Sequence, residues 1–540
     1  MSPQSTNNCD TRPKVLDISH HFSKVSKKRA PNVLKEYYKF LRIPEMGNLA
    51  GGLPFPGNFP FETLEFSLVG ESNFLASNGK DRDHDLGSIS KHHVQILRSS
   101  QSKASTRKIN LDTALQYGSA QGYPPLYVWL KKLVNTVYHP NIPYQGGADI
   151  MINGGSGDGL SKIYELLFNP WDKDLSGVRD REGLLVEEFV YAPPLAQIKP
   201  TLFLSRWIVK GCWCMVRAAC LMFFKPGILR KERDHTRGQY WPKSYLGSSL
   251  NITTQGNISI CSNVDVTIIE DDPECQSTGF KFLDELMPSF LSIDIDGRVI
   301  RLDSFSKTIA PGCRLGWITA QPSVCEQLFR ITDGTTQSPS GFVQAIVAQI
   351  LGDFKDTSST DRSIGWGLQG WVKWLEGLRS VNERRMIMMA TIFEENRFLT
   401  TGTGCTEMFT FNWPMGGMFL WMKVNVFNHP LATSIDPKRL MLALWSLCTQ
   451  HSYRILTVPG GDFAANKAIG NDHGYQFLRF CFTAVEETVL EDKSHAFVAA
   501  CLNFWTIRDV NIIDQILQEE KALQAEGDSN GKDREGIEDW

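Results

Sequence analysis

Short apolar runs, bounded by glycine, proline and polar residues, recur through the central part of the chain and predict buried strands. They are residues 149–152, 183–191, 268–272 and 297–302. Apolar residues at helical spacing predict helices between and after these strands. These helices are 160–168, 324–331, 342–354 and 370–398. Beyond them, residues 416–421 and 477–482 read as two further strands.

Length and composition limit the class of protein. A chain of 540 residues is too long for one ordinary core and favours two domains with extensions. Its 42% hydrophobic and 21% charged residues are globular values, and a net charge of −3 argues against a nucleic-acid partner. The polar N-terminus predicts no signal peptide, and with no membrane span expected we predict a cytoplasmic protein. We expect reduced thiols, because the 12 cysteines lack metal-ligand spacing. The adjacent pair His20 and His21 has no ligand nearby in sequence, so no metal site is predicted.

The run from Asp303 to Trp317 carries the most specific chemistry. A lysine, Lys307, lies between small hydroxyl residues just ahead of a Pro-Gly turn. A lysine amine can form a Schiff base with a carbonyl cofactor. Ser304, Ser306 and Arg314 add hydroxyl groups and a guanidinium suited to phosphate. A strand-end lysine beside a structural arginine would explain any one of these residues, but not the whole run.

A glycine-rich loop at 153–159 follows the strand 149–152 and precedes a helix. Strand, glycine loop and helix start together predict an anion site, because backbone N–H groups and the helix dipole face the loop. A dinucleotide-binding fingerprint is the rival interpretation. It fails, since the glycines do not follow the required spacing and no acidic residue lies about 20 positions on.

The Ser-Phe-Ser-Lys sequence, with Arg seven residues later and then Leu-Gly-Trp, resembles the lysine motif of fold-type I pyridoxal-phosphate aminotransferases. The resemblance is greatest to the aromatic and 2-aminoadipate (kynurenine-type) branch. It implies that Lys307 bonds pyridoxal 5′-phosphate, and that Ser304 and Arg314 bind the cofactor phosphate. Ser156 and Gly157 match the phosphate-cup positions. Tyr117, in a Gln-Tyr-Gly motif, would reach the phosphate in the neighbouring subunit of a homodimer.

Four further residues take roles from the same resemblance. Asp272 would hold the pyridine nitrogen protonated, and Tyr191 would stack on the ring. Arg479 would grip the substrate α-carboxylate, and Gly52, in a segment that crosses the dimer, would touch the substrate. Without the resemblance, both tyrosines would be read as packed side chains.

The resemblance implies an α/β fold with a large domain, built on a mostly parallel seven-stranded sheet, and a small α/β domain. Residues 1–110 would form an N-terminal arm and part of the small domain, and 111–385 the large cofactor-binding domain. Residues 386–517 would complete the small domain, and 518–540 would be a disordered acidic tail. The expected function is transamination of an aromatic amino acid or 2-aminoadipate-like donor to a 2-oxo acid by a ping-pong mechanism. Two alternatives stay open: a degenerate homologue with weak or no activity, and a lyase or decarboxylase on the same fold.

Two family features are missing. The family has a Tyr-Tyr pair after Glu-Asp-Asp-Pro, where this chain has Glu274 and Cys275, and a Gly-Gln-Asn-Pro-Thr-Gly motif, where it has 240–246. The surrounding interval 201–250 carries nine basic and two acidic residues and no clear periodicity. Codons for Trp241 to Tyr245, read one base on, can encode Gly-Gln-Asn-Pro-Thr. We therefore hypothesise that part of 201–250 is translated out of frame, although the final Gly of the motif does not follow in that frame. A basic patch for an acidic partner is the weaker alternative, and sequencing of the transcript would decide.

Overall fold

The structure of the protein is a computed structural model. The residues it describes are 15–31, 40, 43, 52–71, 91–98, 109–138, 145, 147–170, 182–198, 208–209, 219–224, 265, 267–271, 289–352, 365–402 and 404–519. Within these ranges, no helix is both long and apolar enough to cross a membrane.

The strands fall into four sheets. Seven strands make the large sheet: β3 (Asp149–Asn153), β4 (Gly183–Glu187), β5 (Ile208–Val209), β6 (Ala219–Phe224), β7 (Thr267–Asp271), β8 (Val299–Ser304) and β9 (Gly316–Ala320). A four-stranded sheet contains β12 (Phe409–Phe411), β13 (Phe419–Val424), β14 (Val458–Pro459) and β15 (Phe477–Cys481). Two hairpins complete the set: β1 (Thr63–Val69) with β2 (Lys91–Leu97), and β10 (Phe398–Thr401) with β11 (Gly404–Glu407).

Helices cover the sheets. They are α1 (Lys24–Lys28), α2 (Leu111–Leu115), α3 (Pro124–Val137), α4 (Ser156–Leu167), α5 (Ala192–Ile198), α6 (Pro322–Asp333), α7 (Gly341–Leu351), α8 (Gly367–Glu395), α9 (Pro437–Thr449), α10 (Lys467–Asp472), α11 (Glu487–Phe504) and α12 (510–519). The predicted helices 324–331 and 370–398 correspond to α6 and α8. The predicted helix at 160–168 begins four residues earlier, inside the glycine-rich loop.

The large sheet has the order β3-β9-β8-β7-β6-β4-β5 and confirms the α/β prediction. β7 pairs with β8 in parallel, and β4 pairs with β5 in parallel, whereas β9 and β6 are antiparallel to both of their neighbours. Five strands therefore run in one direction and two in the other. The C-terminal ends of β3, β4, β7 and β8 meet at one edge of the sheet, where open α/β sheets bind their ligands.

The interval 201–250, which shows no clear periodicity in sequence, nevertheless contributes β5 and β6 to this sheet. β6 is the uninterrupted apolar run Ala-Cys-Leu-Met-Phe-Phe, and it pairs with β4 on one side and β7 on the other. Strands at the centre of a sheet read as continuous apolar runs without alternation. The substituted motif at 240–246 and Cys275 lie outside the described residues.

Three cores are packed around these elements. One lies on the α4 and α6 face of the large sheet and includes Met151 of β3. A second lies on the opposite face, under α3 and α7, and includes Ile150 and Ile152 of the same strand. This alternation is the period of two that a strand imposes on its side chains. The third core consists of residues from Met386 to Ile516 and is built on the four-stranded sheet with α9 and α11.

Candidate active site

The first element of the site is the turn between β3 and α4. Gly155 precedes the helix with a φ of 102°, a conformation that glycine adopts at little cost. Two side chains fix the turn: Asn153 Oδ1 accepts a hydrogen bond from Gly155 N at 2.8 Å, and Asp158 Oδ2 accepts one from Gly154 N at 2.8 Å. The first amides of α4 have no carbonyl partner within the helix and carry its positive dipole end. The turn therefore presents donors to an anion.

Arg314 closes the turn from the other side. It follows a 3-10 turn at Pro311–Cys313 and adopts a left-handed conformation with a φ of 43°. A Cβ placed on Gly155 would lie 3.2 Å from Arg314 Nη2, so the guanidinium lies directly against this glycine. A Cβ on Gly316 would lie 3.0 Å from Gly155 Cα and 2.5 Å from the Asp303 carbonyl oxygen. Glycine at both positions lets the two loops touch.

Lys307 lies on the loop that joins β8 to Arg314. Ser304, the last residue of β8, has its Oγ 2.8 Å from Ser306 Oγ and accepts a hydrogen bond from Ser306 N at 3.1 Å. Phe305 is fully buried, and its N–H donates to the Leu315 carbonyl at 3.0 Å, which anchors the loop. Lys307 itself is exposed, and none of the described residues forms a hydrogen bond or ion pair with its amine. The loop therefore offers this amine to a ligand.

The anion cradle, defined as Gly155, Ser156, Ser304 and Arg314, can be tested for its fit to a phosphate. Ser156 Oγ is buried and has no hydrogen-bond partner among the described residues. A buried hydroxyl without a partner is costly, and a phosphate oxygen would satisfy it. The predicted neighbour Gly157 is exposed, and its carbonyl accepts a hydrogen bond from Gln197 Nε2 at 3.1 Å. The cradle fits a phosphate monoester with a reactive carbonyl near Lys307.

A carboxylate lies at the same sheet edge. Asp271 is the last residue of β7 and is 7% exposed. Its strand partner is Leu302, which packs on α4, because a Cβ on Gly159 would lie 2.6 Å from Leu302 Cδ2. Cross-strand partners share a face of the sheet, so Asp271 lies on the α4 side. The predicted ring partner, Asp272, lies outside the described residues. Asp271 is not among the site residues predicted from the sequence. Side chains alternate between the two faces of the sheet along a strand, and this alternation could have indicated the face on which Asp271 lies.

Tyr164, on α4, lies close enough to Asp271 for the charge of the carboxylate to affect its phenol. Burial raises the pKa of its phenol well above the ordinary value, and the negative charge of Asp271 raises it further. Its hydroxyl is buried without a hydrogen-bond partner among the described residues. The phenol therefore stays protonated and is a donor on the α4 side of the sheet.

Arg479 lies on β15 in the four-stranded sheet, opposite Trp421 of β13. Its guanidinium lies over two aromatic rings, 4.0 Å from the centroid of Phe419 and 4.4 Å from that of Phe463. The two rings orient the guanidinium by cation–π attraction.

Tyr191 follows β4 and is 60% exposed. The residues before it join the two sheets: Val190 N donates to the Phe463 carbonyl at 2.8 Å, and Ala465 N donates to the Glu188 carbonyl at 3.0 Å. Arg479 rests on Phe463, so Tyr191 and Arg479 extend from one junction. This junction lies at the C-terminal end of β4, at the edge that carries Ser304 and Asp271.

Tyr117 and Gly52 are not part of the anion cradle. Tyr117 is 58% exposed, and Gly52 is exposed with no atom within 4 Å of a Cβ placed on it. The glycine's segment is tied down where the Pro54 carbonyl accepts a hydrogen bond from Gln116 Nε2 at 2.7 Å. The structure thus brings the segment of Gly52 next to the motif of Tyr117.

Comparison with known proteins adds independent support. The sequence profile of the family "Aminotransferase class I and II" matches residues 276–492. The mitochondrial kynurenine/alpha-aminoadipate aminotransferase of Rattus norvegicus is 30% identical over 462 residues, covering 81% of this chain and 87% of the rat protein. An L-tyrosine:2-oxoglutarate aminotransferase of Tapinella panuoides is 28% identical over 453 residues, covering 77% of this chain and 76% of that protein.

Among solved structures, an aminotransferase of Candida albicans superposes with a TM-score of 0.70 at 24% identity. The match covers 92% of this chain and 100% of the Candida chain. At that identity the likeness establishes the fold, and the fold it establishes is the predicted one.

Proposed function

The chain belongs to the class I and II aminotransferase family, and we propose that it uses pyridoxal 5′-phosphate to transfer an amino group from an aromatic or 2-aminoadipate-like amino acid to a 2-oxo acid. The observation that carries the proposal is the position of the Arg314 guanidinium against Gly155, the residue that precedes α4 and its first residue, Ser156. Arg314 lies on the same loop as Lys307. Pyridoxal phosphate, when bound, withdraws electrons from the substrate Cα.

In this proposal the cradle holds the phosphate through Ser156, Ser304 and Arg314, with the amides at the start of α4. Lys307 would hold the cofactor through its amine, and the same amine would act as the base that removes the proton from the substrate Cα. Arg479 grips the substrate α-carboxylate in two parallel hydrogen bonds. The Tyr191 ring covers the cofactor face, and the junction at Phe463 fixes it relative to Arg479.

Tyr117 and Gly52 are proposed to act across a homodimer interface. The exposure of Tyr117 supports a role that is completed by a second copy of the chain. The contact between Gln116 and Pro54 would carry both residues to the partner's site together.

We also propose the domain division with one refinement. The core from Met386 to Ile516 supports a C-terminal small domain at 386–517. In the N-terminal part, Ile18 and Phe22 pack in the α4-side core, and Ile96 and Ile109 pack in the α3-side core. These residues of 1–110 are therefore assigned to the large domain. The predicted tail lies outside the described residues from 520 onward, while 518–519 belong to α12.

The identity of the ring-nitrogen partner is a choice between Asp271 and Asp272. Asp271 is supported by its burial and by the α4 face on which it lies, whereas Asp272 carries the role by motif position. A charge-assisted hydrogen bond contributes about 1.5–3 kcal/mol, so loss of the correct carboxylate lowers the rate by about tenfold to a hundredfold. Asp271→Asn and Asp272→Asn, compared in one rate assay, identify the partner by the variant with the larger loss.

The experiment that tests the function is a cofactor-transfer assay on the purified chain. Phenylalanine, tyrosine, kynurenine and 2-aminoadipate serve as donors with a 2-oxo acid acceptor, and formation of the new oxo acid is measured. Turnover of at least one donor, lost in Lys307→Ala, supports the proposal. Release of carbon dioxide or of the side chain instead would favour a decarboxylase or lyase.

Weak activity is the second candidate, favoured by the replaced motif at 240–246 and by Cys275. A repaired chain, with Gly-Gln-Asn-Pro-Thr-Gly at 241–246 and Cys275→Tyr, is the matched comparison. A large gain in rate would show that the chain as written is impaired. Equal rates would show that other residues serve the same role.

A further inference from the structure

We propose that His20, His21 and Asp265 form a binding site for a zinc-class divalent transition-metal ion, at the sheet edge opposite the candidate active site. His20 Nε2 lies 2.6 Å from Asp265 Oδ2, and His21 Nε2 lies 3.0 Å from Asp265 Oδ1. One ligand atom from each of the three residues lies within 4.8 Å of the others. Asp265 precedes β7, whose far end carries Asp271, so the two sites are separated by the length of the strand.

The sequence-based prediction of no metal site is revised by this contact. It rested on the lack of ligands near the histidine pair, but Asp265 lies 245 positions away along the chain. The fold supplies the missing carboxylate by docking residues 15–31 against the large sheet. No motif of local spacing reveals such a site.

The scaffold holds the three side chains in a convergent arrangement. The histidines occupy a 3-10 turn at Ser19–His21, and their ring centroids are 4.1 Å apart. Asp265 adopts a φ of 52°, a left-handed conformation that is uncommon outside glycine. Ligand atoms on one tetrahedral zinc lie roughly 3.3 Å apart, given metal–ligand distances of about 2.0–2.2 Å. The two histidine–aspartate separations of 2.6 Å and 3.0 Å would have to open by about 0.7 Å and about 0.3 Å.

Exposure of the ligands leaves room for a metal and for solvent. The His21 side chain is fully buried, whereas that of His20 is 51% exposed and that of Asp265 is 42% exposed. A bound ion would therefore have three protein ligands and an open position toward water. Two imidazoles with one carboxylate favour Zn²⁺, Ni²⁺ or Cu²⁺ over Mg²⁺ or Ca²⁺, which prefer all-oxygen sites.

The charges around the site permit a cation. Arg298 Nη1 lies 3.6 Å from Asp265 Oδ1, but Arg298 also pairs with Asp296 at 3.0 Å, so two carboxylates face one guanidinium. Lys27 lies farther out and donates to the His20 carbonyl at 3.4 Å. An aspartate side chain is ordinarily ionised at neutral pH, so Asp265 can bind a cation.

A structural role without metal is the competing explanation, since each neutral imidazole can donate one hydrogen bond to the carboxylate.

The chain offers a matched control in the second adjacent pair, His92 and His93 on β2. Both are exposed, and His93 Nε2 lies 3.7 Å from Glu65 Oε2. Adjacent strand residues point to opposite faces of a sheet, so this pair does not converge on one ligand.

The test uses the full-length chain without a histidine tag, stripped of metal by a chelator and dialysed against ZnCl₂. We expect one zinc ion per chain to be retained and the unfolding temperature to rise. His20→Ala removes an exposed ligand without touching the core, and it should weaken zinc affinity by at least about tenfold, since even outer-shell changes cost about 10–100-fold. His92→Ala/His93→Ala should bind as the unaltered chain does, and MgCl₂ should not substitute.

Spectroscopy of the cobalt-loaded chain adds a readout that is independent of stability. Co²⁺ bound by two imidazoles and a carboxylate gives visible absorption that His20→Ala should change. Absence of retained zinc would overturn the proposal and leave a histidine–aspartate hydrogen-bonded pair. Equal zinc retention by the unaltered chain and His20→Ala would overturn it as well.

Discussion

Both faces of the β7–β8 strand pair carry polar and charged side chains, but the two faces differ in how these side chains are paired. On the face toward α3, Arg301 is 1% exposed and forms ion pairs with Glu270 at 2.9 Å and Asp303 at 2.9 Å. Tyr138 donates to Asp303 at 2.8 Å, and the Arg301 guanidinium lies 4.0 Å from the Tyr138 ring centroid. This face is a closed network, sealed from water.

On the face toward α4, the polar groups are not matched among themselves. The hydroxyls of Ser156 and Tyr164 are buried without hydrogen-bond partners among the described residues, and Lys307 and Arg314 are exposed beside them. Buried polar groups are costly unless they are satisfied. The comparison teaches that the charges of the closed face are satisfied by one another, whereas the open face has two buried hydroxyls that a ligand could satisfy.

Lys307→Ala gives the largest expected effect and tests the open face. The variant should lose all borohydride-reducible attachment of pyridoxal phosphate and all transamination, because no other amine lies on this loop. Lys132→Ala, an exposed lysine on α3, is the control and should keep both. Mass spectrometry after borohydride reduction is the measurement, and a cofactor adduct retained in Lys307→Ala would refute the assignment.

Arg301→Met tests the closed face. Removal of one partner from a buried ion pair leaves uncompensated charge and should lower the free energy of unfolding by about 3–5 kcal/mol. Arg439→Met is the matched control, because Arg439 forms an exposed ion pair with Asp514 and should contribute less than about 1 kcal/mol. Denaturant unfolding measures the free energy of unfolding of both variants. Equal values would contradict the proposed difference between the two faces.

Arg479→Leu extends the comparison to the four-stranded sheet. We expect amino-acid and oxo-acid substrates alike to bind more weakly, by about 2–5 kcal/mol, with covalent attachment of the cofactor unchanged. The control is Arg439→Leu, which removes an exposed arginine of α9 that is paired with Asp514. Substrate titrations that give unchanged affinity in Arg479→Leu would rule out the carboxylate role.

Ser156→Ala is expected to have the smallest effect. Loss of its hydrogen bond to a charged phosphate should weaken cofactor binding by about 1.5–3 kcal/mol, and removal of a partnerless buried hydroxyl should not destabilise the cofactor-free chain. Ser323→Ala, at the start of α6, is a comparable change whose hydroxyl already donates to Gln321 Oε1 at 2.7 Å. It should leave cofactor affinity unaltered. Cofactor affinity that is equal in both variants would place the phosphate elsewhere.

Local pattern predicted most of the fold. The strands at 149–152 and 297–302 and the long helix near 370–398 were found within a few residues, because their apolar periodicity is strong. The direction of β6 could not be predicted, since strand pairing is a long-range property and the surrounding interval has no family pattern. The start of α4 was missed because glycines normally signal a loop, whereas here Gly157 and Gly159 lie inside the first turns of the helix.

The candidate site was predicted as a set of residues, but not as an arrangement. Sequence could suggest that Arg314 and Ser156 share a ligand, whereas the direct contact between the Arg314 guanidinium and Gly155 depends on a left-handed turn that no residue type signals. The side of the sheet on which Asp271 lies follows from its register with Leu302. Tertiary structure also supplies Asp265 to the histidine pair, across an interval that sequence alone does not bridge.

The docking of residues 15–31 has a consequence for the order of events during synthesis. Ser23 bonds the last carbonyls of α4 through its N–H to Leu166 and its hydroxyl to Glu165, and Leu16 accepts a hydrogen bond from Gln321. These partners lie 142 to 305 positions downstream. Residues 15–31 therefore complete their docking only after α4 and the strands that follow it have been made. Contacts of such sequence separation slow folding, and during this delay residues 15–31 are undocked and open to a protease.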